Sequence, residues 1–364
     1  MTTTSAPAAP PAAPGRRGPW VRPTAAALLT VSAVLVTVPD RLWGLDRVAP
    51  FAQIVAFRPY VVVVVGLLGL VALVATVFRR RLWPFAVGLL AVAVAGVAAV
   101  VPRLVADPPP PAGAPTLTVL AFNVYEGRAT PAALADVVRT ERPDLVSLPE
   151  AGVRFRDRIA PLVTPLGYRV RSSTGRGVAD VSGVTVLVAD SLGPVTITVG
   201  TSMEIPYLEV TGGRLGALRF AAVHPRSPLP DRLDVWATDL SRLQTWCAGS
   251  GPAIVAGDLN ATYDHSVLRS AAQGCRDAAE QRGQGLTPTW GPWGPTIGPQ
   301  IDHVLTTPGI EAESVRFLDL PRSDHRGVLA RLALPAGQAG SAGAGAGAGT
   351  GAAVPSSTGS ASTP

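Results

Sequence analysis

The sequence contains no lysine, so all 31 of its Lys/Arg cations are arginine. Charge of either sign is scarce. Only 15% of the 364 residues are charged, against about 25% in an average soluble domain. That shortage argues against a wholly soluble globular protein. Cysteine is limited to Cys247 and Cys275, too few thiolates for a structural zinc site, and no HExxH segment offers a catalytic one. No internal repeat is visible after the first third of the chain, which leaves out repeat architectures.

The formal charge of +6 suggests at first a nucleic-acid partner. Its placement weakens that reading. Residues 1–115 carry 10 arginines against Asp40, Asp46 and Asp107, and the rest carries 21 arginines against 22 acids. The basic excess belongs to the N-terminal region, and the remainder is nearly neutral.

Three apolar runs fill that region, at about 24–40, 60–78 and 82–101, and the last two contain no charge. A bilayer core needs about 20 apolar residues per helix, with a range of about 17–25. The reading is three membrane spans, the first a little short. A cleaved signal peptide is the alternative for the first run, but no small-x-small site follows it. Arg16, Arg17 and Arg22 precede the first run, and Arg79, Arg80 and Arg81 join the second to the third. Both clusters on the cytoplasmic side satisfy the positive-inside rule. Everything after Val101 is then extracytoplasmic.

The domain plan follows. Residues 1–23 form a disordered cytoplasmic tail, 24–101 the membrane region, and 102–115 a proline-rich linker (DPPPP within it). Residues 116–335 form one domain large enough for its own core. Residues 336–364, built from Gly, Ala, Ser, Thr and Pro, form a second disordered tail. Within the domain, strands are expected at 117–123, 144–148, 184–188, 195–200, 207–211, 215–223, 253–256, 301–306 and 329–333. Helices are expected at 131–141, 231–247 and 264–273, with Asp231 and Asp264 as acidic helix starts. Gly212-Gly213 reads as a hairpin turn. The mixture fits an α/β layered fold. Two cysteines in an oxidising compartment favour a Cys247–Cys275 disulfide over two buried thiols.

Polar residues recur where these strands end. LTVLAFN ends at Asn123, DLVSLPE at Glu150 and LRFAAVH at His224. AIVAGDLN ends at Asp258 and Asn260, IDHVL begins at Asp302, and RSDHRG carries Asp324 and His325. Singly, each has a bland reading: a turn cap, a loop carboxylate or a hydrogen-bonded histidine. Together they offer a specific chemistry. Glu150, with Asp324 or Asn123 nearby, supplies hard oxygen ligands suited to Mg²⁺, with Mn²⁺ as its substitute. A His–Asp pair orients and tunes an imidazole. Asp258 and Asn260, separated by one residue, point to the same side of an extended segment.

The order and wording of these segments resemble the endonuclease/exonuclease/phosphatase superfamily of deoxyribonuclease-I-like phosphohydrolases. The carrying segments are AFNVYEG, RPDLVSLPE, AAVHP, GDLNAT, IDHVL and SDH, spread over residues 117–331. Pro149 stands where the family often has Gln, and Pro225 follows His224 where Leu is common. The resemblance implies a four-layer αββα sandwich behind three transmembrane helices, with the site at one end of the sheets. It implies Glu150 as main metal ligand, supported by Asn123 and Asp324. Asp258 orients or deprotonates the attacking water, and Asn260 holds a phosphate oxygen. His325, oriented by Asp302, contacts the phosphoryl group or transfers a proton, and His224 stabilises charge or assists the leaving group. The expected protein is a multi-pass membrane hydrolase of phosphoesters, the substrate being nucleic acid or a lipid or sugar phosphate, with no protein partner implied. The alternatives are a phosphatase of phospholipids or small molecules, or a non-catalytic binding module. Tyr125, Arg171, Trp290 and Trp293 are candidates for the rim, with packing or surface the plainer reading.

Overall fold

Charge-free runs of valine, leucine and alanine form helices in the N-terminal third. The computed structural model describes residues 21–335; the two tails expected to be disordered, up to residue 20 and from residue 336, lie outside the described residues. Helices α1 (Val21–Thr37), α2 (Phe51–Val55), α3 (Arg58–Ala75) and α4 (Trp83–Val100) come first. Ala33, Val65, Leu89, Val92 and Ala93 knit α1, α3 and α4 together. Two of these helices, Arg58–Ala75 and Arg80–Leu104, are long and apolar enough to cross a membrane. Only 22% and 33% of their most apolar windows is buried, so most of that surface is uncovered, unlike a soluble core helix. The first helix is shorter, at 17 residues.

The rest alternates strands and helices. In chain order these are β1 (Thr116–Ala121), α5 (Pro131–Glu141), β2 (Leu145–Pro149), α6 (Val153–Val163), β3 (Tyr168–Ser172) and β4 (Val184–Ala189). Next come β5 (Val195–Gly200), β6 (Tyr207–Gly212), β7 (Arg219–Val223), α7 (Leu233–Ser241), α8 (Gln244–Cys247) and β8 (Ala253–Asp258). The chain closes with α9 (Ser266–Ala271), β9 (Arg276–Asp277), α10 (Ala278–Gln281), β10 (Asp302–Thr306), β11 (Glu311–Asp319) and β12 (Arg326–Ala333). Two mixed six-stranded sheets result, in the orders β11-β12-β1-β2-β4-β3 and β5-β6-β7-β8-β10-β9. Central strands such as β4 (VTVLVA) and β8 (AIVAGD) are buried at every residue. Such continuous apolar runs suit strands covered on both faces. The central core, with Val119, Val186, Phe220 and Ile254, lies between the sheets. Leu134, Val138, Phe155 and Ile159 of α5 and α6 cover the outer face of the first sheet. Trp236, Leu240, Trp246 and Leu268 cover the outer face of the second.

Among the elements absent from the sequence reading are two edge strands and a charged helix. β3 (YRVRS) and β11 (EAESVRFLD) are interrupted by charge. Both lie at the edge of the first sheet, where charge is tolerated and guards against pairing with another chain. α6 alternates buried Val153, Phe155, Ile159 and Val163 with arginines on its open face. The helix expected over 231–247 breaks into α7 and α8. Neither expected acidic start survives. α7 begins after Arg232 and α9 after His265. The free Ser266 N–H at the start of α9 donates to Asp46, 220 positions earlier in the chain, at 2.6 Å.

Asp264 instead joins a buried ion cluster linking the helical region to the sheets. Arg58 Nη1 lies 2.8 Å and Arg103 Nη2 2.7 Å from its Oδ1. Arg58 also pairs with Asp40, which accepts from Arg269 at 2.7 Å. The proline-rich stretch does not stand off as a free spacer. The Asp107 N–H donates to the Gln281 carbonyl at 2.9 Å, and Arg282 donates to the carbonyls of Asp107 and Pro108.

Cys247 and Cys275 are joined by a disulfide across a separation of 28 residues. Closing a loop of that length stabilises a fold by about 3–4 kcal/mol in the chain-entropy account. Cys247→Ser with Cys275→Ser is therefore expected to lower the unfolding midpoint measured by circular dichroism. A midpoint equal to the parent's would show that the bridge constrains nothing the core does not already hold.

Candidate active site

Topology gathers the polar strand ends. β1 and β2 are parallel neighbours, and so are β7 and β8. Their carboxyl ends all point the same way, carrying Asn123, Glu150, His224 and Asp258. β12 runs antiparallel to β1, and β10 antiparallel to β8. Their amino ends therefore arrive at the same edge, bringing His325 and Asp302. Asp302 is the direct cross-strand partner of Asp258. The next residue, His303, faces the opposite way and binds Asp277 at 2.5 Å and the Ala261 carbonyl at 3.0 Å. Both of its partners are acceptors, and its pKa is raised because Asp277 outweighs the opposing effect of burial.

Gly257 is required by close approach. A side chain there would collide with the Val223 carbonyl of the adjacent strand. The absence of one lets β7 close on β8 and sets His224 Nε2 3.7 Å from Asp258 Oδ2. The backbone is bent at four other site positions, among them Asn260 with φ of 49°. Tyr125, Glu126 and Glu150 have φ of 49°, 50° and 59°, left-handed values that non-glycine residues adopt at a cost of about 1–3 kcal/mol. The bend lets the Glu126 N–H donate to Glu150 Oε2 at 2.6 Å.

Asn123 is fully buried between the carboxylates. Its Nδ2 donates to Glu150 Oε1 at 3.1 Å and to Asp258 Oδ2 at 2.9 Å. Its Oδ1 accepts the Tyr125 N–H at 2.8 Å. The amide oxygen expected to bind metal is thus taken by backbone, and the amide nitrogen faces the acids. Asp258 Oδ1 accepts the Asn260 N–H at 2.8 Å. Asn260 Nδ2 lies 3.3 Å from His224 Nε2 and donates to the Pro225 carbonyl at 3.0 Å. His325 Nδ1 binds Asp302 Oδ2 at 2.8 Å, while its Nε2 lies 3.8 Å from Asp258 and 3.9 Å from Asp324.

The two imidazoles are driven apart. Burial, with the positive neighbour His325, pushes His224 down to about 3, so this ring is neutral. Burial acts the same way on His325, but Asp302 and Asp258 outweigh it and hold the ring at about 10. His325 is an imidazolium at neutral pH. Asp258 is pushed up, first by burial and then by Asp302.

Two groups of three side chains bring ligand atoms within 4.8 Å of one another: Glu150, His224 and Asp258, and then Asp258, Asp302 and His325. The donor set fits a hard divalent cation. It is rich in carboxylate oxygen, and Asp302 Oδ1 and Asp324 Oδ1 are buried with no hydrogen-bond partner. An excess of buried carboxylate raises the Asp258 pKa, and a cation would relieve that excess. Asp324 is held from outside the set by Trp290, whose Nε1 donates to its Oδ2 at 3.1 Å.

The site opens into a cleft of about 410 Å³ bounded by Glu150, Asp258, Asn260, Asp324 and His325. Tyr125 and Trp290 line it, whereas Arg171 and Trp293 do not. Sequence reasoning missed Thr289, whose Oγ1 accepts the Ile301 and Asp302 N–H groups at 3.0 and 3.1 Å. It also missed Ala52, Ala56 and Phe57, which form one wall. A lone threonine in a glycine-rich loop and an apolar stretch between two hydrophobic runs carry no signal of their own.

No curated protein matches the chain. Among solved structures, a humanized D. rerio TDP2 carrying 14 mutations is 17% identical, covering 60% of this chain and 98% of its own, with a TM-score of 0.48. An endonuclease/exonuclease/phosphatase from Beutenbergia cavernae is 21% identical, covering 60% of this chain and 72% of its own, with a TM-score of 0.45. A family protein from Bacteroides thetaiotaomicron is 15% identical, covering 61% and 98%, with a TM-score of 0.44. The family model described as "Endonuclease/Exonuclease/phosphatase family" matches residues 120–325, more than half of the chain. That stretch runs from the strand before Asn123 to His325, and on this match the chain belongs to the endonuclease/exonuclease/phosphatase family.

Proposed function

We propose that the chain is a Mg²⁺-dependent phosphoester hydrolase anchored in the cell membrane by three spans, with its catalytic domain on the extracytoplasmic side. The observation that carries the catalytic part is the meeting of Asn123, Glu150, His224, Asp258, Asn260, Asp302 and His325 at one end of two packed sheets. The domain plan proposed is a membrane region at 24–101, a linker at 102–115 and a four-layer αββα catalytic domain at 116–335, with tails at either end. Anchoring is supported by the uncovered apolar surface of α3 and α4. Orientation is supported by Arg79, Arg80 and Arg81, which join α3 to α4 at the opposite helix ends from Arg58 and Arg103, the residues paired with Asp264.

Glu150 and Asp324 would hold the metal, which supplies Lewis-acid polarisation of a phosphoryl oxygen. Asn123 positions the two carboxylates by donating to both Glu150 and Asp258. Asp258, made more basic by burial and by Asp302, accepts a proton from the attacking water. His325, charged and oriented by Asp302, faces the developing negative charge on the phosphoryl group. Asn260 keeps one amide N–H on the Pro225 carbonyl and would turn the other, which faces His224 Nε2, to a phosphate oxygen.

The direct test is hydrolysis of bis-p-nitrophenyl phosphate by the full chain in detergent, with Mg²⁺ and with EDTA. Turnover that disappears in EDTA is expected; no turnover with any divalent metal would overturn the hydrolase reading. Glu150→Gln removes the principal anionic ligand and is expected to shift the Mg²⁺ titration to about tenfold or more higher concentration, the usual cost of disturbing a metal site. An unchanged titration would remove Glu150 from the ligand set. For topology, an alkaline phosphatase reporter fused after Val101 is expected to be active and a cytoplasmic reporter silent. The reverse pattern would invert the orientation.

A further inference from the structure

The cleft is built from two parts of the chain far apart in sequence. Its floor comes from the sheets. One wall is Ala52, Gln53, Ala56 and Phe57, from the segment between the first and second apolar helices. That wall is fastened along the rim. Gln53 Nε2 donates to the Pro228 carbonyl at 2.5 Å, and His265 Nε2 lies 2.8 Å from the Ala52 carbonyl. The Gly298 N–H donates to the Tyr60 hydroxyl at 2.9 Å.

On the outer side of this wall lies a shallow, open apolar groove lined by Ala49, Pro50, Gln53, Ile54, Phe57, Val61 and Pro230. None of these residues is charged. Gln53 and Phe57 line both, so the cleft and the groove adjoin across those two side chains. The groove lining includes Val61, in the first turn of α3, and the exposed apolar residues Val63, Val64, Leu67 and Leu68 follow on the same helix. The cleft with its carboxylates and imidazolium and the uncharged groove thus lie side by side, and the groove reaches the start of the uncovered face of a membrane-length helix. The chemistry of the cleft runs against a polyanion. Among the described residues no arginine lines it, while Glu126 and Asp324 do; a nucleic-acid strand needs cations along its backbone.

We propose that the substrate is an amphiphile whose phosphoester head enters the cleft while its hydrocarbon chain lies in the groove formed by Ile54, Phe57, Val61 and Pro230. This rests on the hydrolase and membrane readings above. The reaction adds water across one P–O bond. The water oxygen bonds to phosphorus as one of its protons passes to Asp258, and the P–O bond to the leaving group breaks with its electron pair on the leaving oxygen, which takes a proton from solvent and departs as an alcohol or phenol. One ester and one water give one acid and one alcohol, with no redox change. Apolar burial in the groove holds the chain at about 0.8 kcal/mol per methylene at most, and the metal site takes the head.

The experiment compares methyl and octyl p-nitrophenyl phosphate on the full chain in amphipol, below the micelle concentration of the octyl ester. Both esters release the same p-nitrophenolate, so the ratio of their kcat/KM values reads the chain alone. The octyl ester is expected to be better by about tenfold or more, a modest share of the burial of seven methylenes. Ile54→Asp, and separately Val61→Asp, should bring that ratio to within about threefold of one. The ratio is taken within each protein, so partial misfolding, which lowers both rates, does not mimic the effect. A parent ratio near one, or a high ratio retained in both variants, would overturn the proposal. So would a single-stranded oligonucleotide cleaved more efficiently than the octyl ester. Binding of octylphosphonate and methylphosphonate, neither of which can be hydrolysed at P–C, separates the two readings. Tighter binding of the octyl compound that is lost in Ile54→Asp upholds the groove even if no ester is turned over. Equal binding of the two overturns it.

Discussion

His325→Ala is expected to lower kcat by on the order of 10²–10⁴ with little change in KM. The ring is the one cation among the titratable groups of the catalytic set. Asp302 and Asp258 hold it protonated up to about pH 10, so across the physiological range it offers both a positive charge and a proton. Electrostatic stabilisation aimed at developing charge in a buried site is usually the largest catalytic contribution. The alanine variant removes that charge and leaves Asp302 facing Asp258 without compensation. His325→Gln keeps a hydrogen bond to Asp302 but no charge, and should recover only a minor part of the rate. The check is steady-state kinetics on bis-p-nitrophenyl phosphate beside the circular dichroism of each variant. A folded His325→Ala protein within about threefold of the parent would remove the imidazolium from the reaction.

The second large effect is on stability. Asp264→Asn is expected to destabilise the protein by about 3–5 kcal/mol, the range for breaking one side of a buried ion cluster. The carboxylate is almost fully buried and binds Arg58 and Arg103 through the same oxygen. With an amide there, two buried guanidinium groups lose their shortest common partner. Arg58 retains Asp40, and Arg103 retains only a 3.9 Å approach to Glu280. Since this cluster fastens the segment that walls the cleft, the variant should also lose activity. Asp231, which is exposed, is the control, and Asp231→Asn should stay within about 0.5 kcal/mol. Denaturant unfolding followed by near-ultraviolet dichroism measures both. A midpoint for Asp264→Asn equal to the control would show that the arginines find water or other partners at no cost.

Much of the catalytic end is legible in the amino-acid order because a strand core cannot use polar groups. Asn123, Glu150, His224 and Asp258 stand out against the apolar runs that precede them, and all four lie at the carboxyl ends of central parallel strands. The amphipathic edge elements β3, β11 and α6 are not legible in the same way, since charge on an exposed edge looks like loop in one dimension. Helix starts mislead for a related reason. An acid before an apolar stretch suggests a cap, yet Asp264 is drawn away by Arg58 and Arg103, and Asp46 caps α9 from across the molecule.

Local sequence determined the apolar helices, the buried strands and the kinds of groups gathered at the site, because periodicity and polarity are properties of neighbouring residues. Tertiary structure alone decided three further points. It set the two imidazoles in opposite charge states, since burial and the neighbouring His325 keep His224 neutral while Asp302 and Asp258 outweigh burial at His325. It turned the Asn123 amide nitrogen, rather than its oxygen, toward the acids. It also placed residues 49–61 against a site formed more than 60 residues later in the chain. Each is a matter of distance between segments that the chain order keeps far apart, and burial makes those distances decisive by removing the water that would screen them.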